Sequence, residues 1–361
     1  MRSRRTFIGV CASVAFSGCA GLSRDDDVLP PRTPDNDDSG RSPVSLADQG
    51  LENGDVIDGY LDENLRRGTE VHIPAGTYEW RGTGLSGEYD DAALVGDGTV
   101  TFQFSEEYWN VDIFAVDGGN FTLRNITIRG PVDSNDNKSR FRFDARDGES
   151  KVILDNFNLP DGDVGRGRAI GIYVGLDNQG TVHLNNCYVE GFPNNGLYAG
   201  QSGLARGGGG RVVVEGCSFK NNNIDAVRLG GNGDVIRNCE IVQEEVPATH
   251  DDAKSGRGIR VRYPGGDITI ENVRIRSNTS SPFIVPDRAG GPDGRVNGLY
   301  IENNTDRTAA LVEQGSFTAD TVYIRGSGNL EIRGFTSLSD SHADPDLDAW
   351  EDWDHTADEQ P

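Results

Sequence analysis

The same pattern occurs twice, 30 residues apart, in residues 181–200, TVHLNNCYVEGFPNNGLYAG, and in residues 211–230, RVVVEGCSFKNNNIDAVRLG. On each side of a central residue, Asn186 or Gly216, apolar and polar side chains alternate, which is typical of short β-strands. The apolar phase slips by one residue at the centre. Because both strands must face the same core, this slip predicts a bend at Asn186 and at Gly216.

Six more copies of the pattern flank these two, and eight copies predict a repeat protein. The eight centres are Asn125, Asn156, Asn186, Gly216, Asn238, Asn272, Gly298 and Thr321. Seven of them are Asn or Gly, which tolerate a positive φ, so the bend is interpreted as a left-handed corner between two strands. Stacked at the ordinary strand spacing, the asparagines are expected to form an internal ladder of amide hydrogen bonds.

A third short strand follows the corner in six repeats and closes each coil. These strands are FRFD at 141–144, IYVG at 172–175, LYAG at 197–200, VRLG at 227–230, IRVR at 259–262 and FIVP at 283–286. Their inward residues are apolar, so the residues between them are expected to point outward. The outward residues form one predicted surface row: Arg142, Tyr173, Tyr198, Arg228 and Arg260, followed by Ile284. The sequence therefore predicts an all-β solenoid of about ten coils.

This pattern resembles the right-handed parallel β-helix (pectin lyase-like) superfamily, which includes pectate lyases, polygalacturonases and other polysaccharide-acting proteins. The resemblance covers residues 45–338 and implies one β-helix domain. It extends to residues 53–68, NGDVIDGYLDENLRRG, which are similar to the N-terminal capping helix of that superfamily. The apolar face of this helix is formed by Val56, Ile57, Tyr60, Leu61 and Leu65. Residues 70–80, EVHIPAGTYEW, resemble the first coil.

The chain begins with a predicted targeting segment, residues 1–19. Its string SRRTFIG, at 3–9, resembles a twin-arginine export signal with Arg4 and Arg5 as the pair, and Cys19 resembles a lipidation site. We expect an extracellular protein anchored to the outer face of the cell membrane through this lipid. The alternative is a soluble secreted protein. Residues 20–44 are interpreted as a disordered acidic linker and residues 339–361 as a disordered acidic tail.

The composition excludes several classes of protein. The 48 glycines and 35% hydrophobic residues do not suit a helical bundle. With 58 acidic and 34 basic residues the net charge is −24, which argues against nucleic acid as a partner. The strongly acidic, arginine-over-lysine composition resembles proteins of salt-loving archaea. Cys187, Cys217 and Cys239 share one inward position and are expected to be reduced core thiols, with no metal. A monomer is expected.

The predicted row suggests a binding groove for an acidic polysaccharide. Tyrosines offer flat faces for sugar rings, and arginines offer forked donors for carboxylates or sulfates. Arg142, Tyr173 and Tyr198, together with His250 from a neighbouring loop, are the candidate substrate-binding residues. The alternative is an arginine–tyrosine stack that stabilises the sheet and binds nothing.

Candidate catalytic residues surround the long loop at 243–258, QEEVPATHDDAKSGRG. For hydrolysis, Asp225 with Asp251 or Asp252 could supply the acid and the base. For β-elimination, Arg228 or Arg260 could neutralise a sugar carboxylate while these aspartates act as base or hold Ca²⁺. The glycine-flanked histidine and the Arg-Ile-Lys signature of polygalacturonases are absent in the expected order. A non-enzymatic surface scaffold or adhesion protein therefore remains the competing function.

Overall fold

The computed structural model describes residues 40–343, except Tyr108, residues 134–137, Arg166 and His250. One α-helix, α1, spans Asp58–Asn64, and short 3₁₀ helices span Ala47–Gln49 and Gln201–Gly203. The first twelve strands are β1 (Ser42–Ser45), β2 (Thr69–Trp80), β3 (Gly87–Glu88), β4 (Ala92–Phe104), β5 (Asn110–Ala115), β6 (Asn120–Arg129), β7 (Arg140–Ala145), β8 (Lys151–Leu159), β9 (Ile172–Tyr173), β10 (Thr181–Asn185), β11 (Tyr188–Glu190) and β12 (Asn195–Tyr198). The next twelve are β13 (Arg211–Glu215), β14 (Ser218–Lys220), β15 (Asp225–Leu229), β16 (Val235–Gln243), β17 (Arg257–Val261), β18 (Ile268–Ser277), β19 (Phe283–Val285), β20 (Asp293–Asn303), β21 (Ala310–Val312), β22 (Ser316–Arg325), β23 (Ile332–Arg333) and β24 (Ser337–Ala343).

The strands form two parallel sheets that wind around one core. A 14-stranded sheet contains the strands on both sides of each corner, and a 10-stranded sheet contains β3, β5, β7, β9, β12, β15, β17, β19, β21 and β23. Each strand pairs in parallel with its equivalent in the next coil. The fold is a right-handed parallel β-helix of about ten coils, as the sequence pattern predicts.

The predicted corners are left-handed at seven of the eight centres. The φ angles of the five asparagines lie between 47° at Asn272 and 57° at Asn125, and Gly216 and Gly298 also have positive φ. The eighth centre, Thr321, has no left-handed backbone. A left-handed β-branched residue would be strained, and the register between β20 and β22 shifts on both sides of Asn297 instead.

The asparagine ladder exists in part, but it lies on the outside of the coil rather than inside it. Asn156 donates its side-chain amide to Asn125 at 3.2 Å, and Asn272 donates to Asn238 at 2.8 Å. The side chains of Asn186, Asn238 and Asn272 are exposed. The expectation of an internal ladder is therefore wrong, because apolar side chains on either side of each corner fill the interior.

An internal polar stack is found instead at the end of the corner strands, before the third strand. It consists of four fully buried residues, Asn222, Gln243, Ser277 and Asn303. The backbone N–H of Phe192 donates to Asn222 Oδ1 at 3.1 Å, and the backbone N–H of Asn222 donates to Gln243 Oε1 at 2.9 Å. These side chains satisfy backbone groups that no strand pairing reaches.

The core is filled from both sheets, and α1 covers its first coil. Ile57 and Leu61 are fully buried beneath the helix, which confirms the predicted cap. The three inward cysteines are also buried, and all three are free thiols. Burial raises the pKa of the Cys187 and Cys217 thiols, so both stay protonated.

Two predicted boundaries need correction. The expected linker ended at residue 44, but β1 starts at Ser42 and pairs with β2. The expected tail began at residue 339, but β24 pairs with β22 as far as Ala343. Both segments continue the strand ladder, although their composition is polar. The targeting segment, the rest of the linker and residues 344–361 lie outside the described residues.

Candidate functional site

The register of the 10-stranded sheet aligns the predicted surface row. Arg142 pairs with Tyr173, and Tyr173 pairs with Tyr198. Tyr198 pairs with Arg228, and Arg228 pairs with Arg260. These five residues, the Arg/Tyr row, therefore follow one another on successive coils at the ordinary strand spacing of about 4.8 Å.

One buried carboxylate, that of Asp225 at the start of β15, faces three arginines. Arg228 binds its Oδ2 through Nη2 at 2.6 Å and through Nε at 2.7 Å. Arg257 Nη1 lies 3.2 Å from Oδ1, and Arg260 Nη1 lies 3.8 Å from Oδ2. Asn195 donates a further hydrogen bond at 3.1 Å. Asp225 is fully buried, and its one negative charge faces three guanidinium groups. One carboxylate can neutralise only one of the three positive charges.

The opposite end of the row repeats this arrangement with one arginine. Arg142 Nη2 lies 2.6 Å from Asp144 Oδ2, and Asp144 is fully buried. The backbone N–H of Gly175 donates to the other oxygen at 2.6 Å. Burial raises the pKa of Asp144 even though Arg142 opposes the shift. Arg142 also contacts the exposed Asp177 at 3.2 Å. The positive charge of Arg142 is therefore neutralised by carboxylates of the protein itself.

The tyrosine hydroxyls of the row form a connected hydrogen-bond network. Gln201 accepts from the Tyr173 hydroxyl at 2.9 Å and donates to the Tyr198 hydroxyl at 3.0 Å. The Tyr198 and Tyr263 hydroxyl oxygens lie 2.6 Å apart. The guanidinium carbon of Arg228 lies 4.4 Å from the centroid of the Tyr198 ring, a cation–π distance.

This network shifts the pKa values of Tyr198 and Tyr263 in opposite directions. Burial alone would raise the pKa of Tyr198, but the hydrogen bond from Tyr263 and the charge of Arg228 outweigh it and lower the pKa. Burial and the neighbouring Tyr198 both raise the pKa of Tyr263. The lowered pKa makes Tyr198 the member of the pair that ionises first, and once it is ionised the Tyr263 hydroxyl is the one left to donate the hydrogen bond.

Three cations surround the ring of Tyr173. Lys138 Nζ lies 5.9 Å from the ring centroid, and the guanidinium carbons of Arg140 and Arg142 lie 5.6 and 5.7 Å from it. Burial and the charge of Arg140 lower the pKa of Lys138. Two of these cations are paired with carboxylates, since Arg140 Nη2 lies 3.3 Å from Asp112 and Arg142 contacts Asp144 and Asp177.

A pocket of about 360 Å³ lies under the loop that joins β16 to β17. It is lined by Gly167, Arg168, Pro193, Asn194, Ile224, Thr249, Asp251, Ala253, Ser255, Arg257 and Arg260. The buried side chain of Asn223 ties the loop down, since it donates to the backbone of Ala253 and accepts from the N–H of Ser255, both at 2.7 Å. The pocket thus adjoins the Arg260 end of the row.

Backbone strain occurs beside Asp225. The preceding residue, Ile224, has a φ of 55°, and a β-branched residue in this region is a conformational outlier. Arg257 donates to the carbonyl of Ile224 through its side chain at 3.1 Å. Strain of this kind concentrates at functional sites, where the surrounding contacts hold it.

The predicted site residues are brought together only in part. Arg260 and Asp251 line the loop pocket, whereas Arg228 and Asp225 lie in the buried cluster next to it. Asp252 is exposed on the loop, and its N–H donates to the Thr249 carbonyl. His250 lies outside the described residues, and its expected role remains a prediction.

Two members of the site were not predicted. Gln201 begins the short 3₁₀ helix that follows β12, and Tyr263 lies in the turn that follows β17, so no strand alternation fixes the direction of either side chain. A polar residue directly after each third strand expected from the sequence, 197–200 and 259–262, is the one signal for them.

No cluster of three or more His, Cys, Asp or Glu side chains suited to a metal ion occurs among the residues that the structure describes. Asp225, one of the aspartates considered for Ca²⁺, already contacts three arginines. The aspartates considered for Ca²⁺, Asp225, Asp251 and Asp252, therefore do not fit a calcium site. Within the same described part of the chain, no helix is both long enough and apolar enough to cross a membrane.

The match to one family model agrees with the fold. Residues 170–336 match the family model of the right handed beta helix region. The A-module of mannuronan C-5 epimerase AlgE4 from Azotobacter vinelandii is 15% identical, with a TM-score of 0.44 over 84% of this chain and 95% of that one. The A-module of AlgE6 from the same organism is 14% identical, with a TM-score of 0.40 over 84% of this chain and 100% of that one. No curated protein matches the chain in sequence. Substrate and chemistry must therefore be argued from the side chains of this chain.

Proposed function

We propose that this protein binds an acidic polysaccharide along the Arg/Tyr row and abstracts the proton next to a sugar carboxylate, with Tyr198 as the base. The observation that carries the proposal is the juxtaposition of an ionisable tyrosine with three arginines that share one buried carboxylate. Arg228 lies against the Tyr198 ring at 4.4 Å, and it shares one buried carboxylate with Arg257 and Arg260.

The chemistry follows from what such a proton requires. The C5 proton of a uronic acid is weakly acidic, and its removal places negative charge on the carboxylate. An arginine near that carboxylate stabilises the charge as it develops. The Tyr198 phenolate takes the proton and becomes a neutral phenol. The C4–O bond then breaks and the leaving oxygen takes a proton from the Tyr198 phenol or from water, which gives an unsaturated sugar and a new hydroxyl end, or the carbanion takes a proton back at C5.

Hydrolysis by Asp225 is disfavoured by the same geometry. A hydrolase needs two carboxyl groups that reach the glycosidic oxygen and a water molecule. The Asp225 side chain is fully buried and bound by Arg228, Arg257 and Asn195. We therefore assign Asp225 the role of holding the arginines, and we assign Arg260 and Arg228 to the substrate carboxylate.

The test is to incubate the full chain, at high salt and with or without Ca²⁺, with a panel of uronic-acid polysaccharides and one neutral polysaccharide. The proposal predicts unsaturated products, or exchange of the C5 proton, with an acidic polymer only. New reducing ends without unsaturation would indicate hydrolysis instead and would overturn the assignment of Tyr198.

The second candidate is a non-enzymatic surface scaffold or adhesion protein. One observation favours it: Arg142 and Arg228 each already have a buried carboxylate partner, Asp144 and Asp225. A row of this kind could stabilise the sheet without binding a ligand. Binding of acidic polymers with no change in the polymer would support a scaffold, and no binding at all would leave the row structural.

We also propose that the protein is exported by the twin-arginine route and held at the outer face of the cell membrane through Cys19, as a monomer. Support comes from the sequence: Arg4 and Arg5 precede a short apolar stretch, and Cys19 follows it. A polysaccharide substrate would be met outside the cell, so export and the proposed site are consistent.

A further inference from the structure

Three turns that follow third strands are stacked beside the Arg/Tyr row. The first contains Gln201, the second spans residues 230–234, and the third contains Tyr263. The first and third turns carry the side chains that bind the Tyr198 hydroxyl, at 3.0 and 2.6 Å. The middle turn separates them and contributes no side chain to the network.

The middle turn is closely packed on both sides because it begins with glycines. A Cβ on Gly230 would lie 2.6 Å from the backbone nitrogen of Tyr263, and a Cβ on Gly200 would lie 2.3 Å from the nitrogen of Gly230. The Gly230 carbonyl also accepts from Gly265 at 3.0 Å. Any displacement of Gly230 would therefore be passed directly to Tyr263.

A single buried carboxylate fixes this turn. Asp234 Oδ2 accepts from the N–H groups of Gly230 and Gly231, at 2.9 and 2.6 Å, and Oδ1 accepts from the N–H of Val212 at 2.8 Å. The side chain is fully buried, and no ion pair joins it to a cation in the described part of the chain. Burial raises the pKa of Asp234, so keeping it charged is costly, and three N–H donors oppose that cost.

We infer that Asp234 is a positioning residue of the site. It fixes the position of the Gly230–Gly231 turn along the solenoid axis, and this position lets the Tyr263 hydroxyl reach Tyr198. This inference rests on the proposed role of Tyr198, but it concerns a residue that no substrate touches. Tyr263 must extend across one whole coil to reach Tyr198, and the glycine turn leaves the space for it. Asp234 keeps that space at a constant size.

The experiment measures the pKa of the Tyr198 phenol by NMR titration of tyrosine-labelled full-length protein, with Tyr198→Phe to assign the signal. Asp234→Asn keeps the shape of the side chain but removes one acceptor from the N–H groups. We expect it to raise the pKa of Tyr198 by about one pH unit, the equivalent of one hydrogen bond to a charged group. Tyr263→Phe should do the same, and the double variant should add nothing to either.

Asp58→Asn is the matched control. Asp58 is also buried and also accepts backbone N–H groups, those of Arg81 and Thr83, but it lies in the N-terminal cap. The Asp58→Asn variant should lower the melting temperature and leave the Tyr198 titration unchanged. If Asp234→Asn does not fold, Gly231→Ala serves instead, since its Cβ would lie 2.7 Å from Asp234 Oδ1 without a positive φ.

Two outcomes separate this inference from the proposed function. If Tyr263→Phe raises the pKa of Tyr198 but neither Asp234→Asn nor Gly231→Ala does, the positioning role is wrong and the function can still stand. If the Asp234 variant shifts the titration but Tyr198→Phe acts on polysaccharide as the unaltered protein does, Asp234 positions Tyr263 as inferred and the function of Tyr198 is wrong.

Discussion

The hydroxyl oxygens of Tyr198 and Tyr263 lie 2.6 Å apart, although 65 residues separate the two tyrosines in the sequence. Arg228 lies on the coil between them and contacts the Tyr198 ring. One phenol is thus held between a cation and a hydrogen-bond donor, which is the environment that favours its ionised form.

The first prediction concerns the titration of Tyr198. Its pKa is lowered, so its phenolate should form below the ordinary tyrosine value of about 10. If the phenolate is the base, activity should rise as the pH rises through this pKa and should level off above it. Ultraviolet titration of the unaltered protein against Tyr198→Phe measures the value.

The lowered pKa of Tyr198 also determines how this tyrosine changes the stability of the fold with pH. A depressed pKa stabilises the folded state above the pKa of the unfolded chain, and this contribution is lost as the pH falls through the folded value. Replacing Arg228 by Gln should raise the pKa of Tyr198. An absorbance change that is unaltered in Tyr198→Phe would show that another tyrosine titrates.

The second prediction separates binding from stability at Arg260. Its contact with Asp225 is long, 3.8 Å, whereas the Arg228 contact is 2.6 Å. Arg260→Ala should therefore weaken retention on an immobilised acidic polysaccharide and barely move the melting temperature. Arg228→Ala, the control, should lower both, because it leaves the buried Asp225 poorly neutralised. A drop in melting temperature with unchanged retention for Arg260→Ala would make the row structural.

The third prediction tests the strain at Ile224. A left-handed conformation costs an L-residue roughly 1–2 kcal/mol, and asparagine adopts it more readily than isoleucine does. With a φ of 55°, Ile224→Asn should leave the free energy of unfolding unchanged or raise it. Ile284→Asn changes an equally half-buried residue of β19 without positive φ and should lower it. Equal losses in chemical denaturation of both variants would rule out strain at Ile224.

The fourth prediction concerns export. Changing Arg4 and Arg5 to lysine removes the paired arginines that a twin-arginine receptor reads, while the charge stays the same. Precursor should then accumulate in the cytoplasm, as cell fractionation would detect. Cys19→Ala should instead release the exported protein from the membrane. Normal export of the double lysine variant contradicts the proposed route.

Much of the fold could be predicted from the sequence because its signals are local. Alternation with period two fixes which face a side chain occupies, so the register of Arg228 with Arg260 followed from their places between inward residues. The phase slip at Asn186 or Asn238 marks a corner for the same reason. The outward direction of the corner side chains did not follow, since a left-handed residue obeys neither strand phase.

The candidate site was less predictable because its decisive contacts are distant in sequence. An aspartate at a strand start, such as Asp225, reads as a catalyst until its burial and its contact with Arg257 are known. Tyr263 and Gln201 lie in turns, and turn geometry depends on the stacking of neighbouring coils. Asp234 gave no signal, because its partners are backbone N–H groups.

The most direct test of the account follows the sugar C5 proton. The unaltered protein and Tyr198→Phe are incubated in D₂O with a uronic-acid polysaccharide that binds both proteins. NMR then records deuterium at C5 together with unsaturated ends. If Tyr198 is the base, the unaltered protein should catalyse exchange or elimination. Tyr198→Phe should lose at least about 100-fold of this rate with retention unchanged, which is the contribution expected of a general base. Equal rates for the two proteins, or retention with no change at C5 in either, would contradict it.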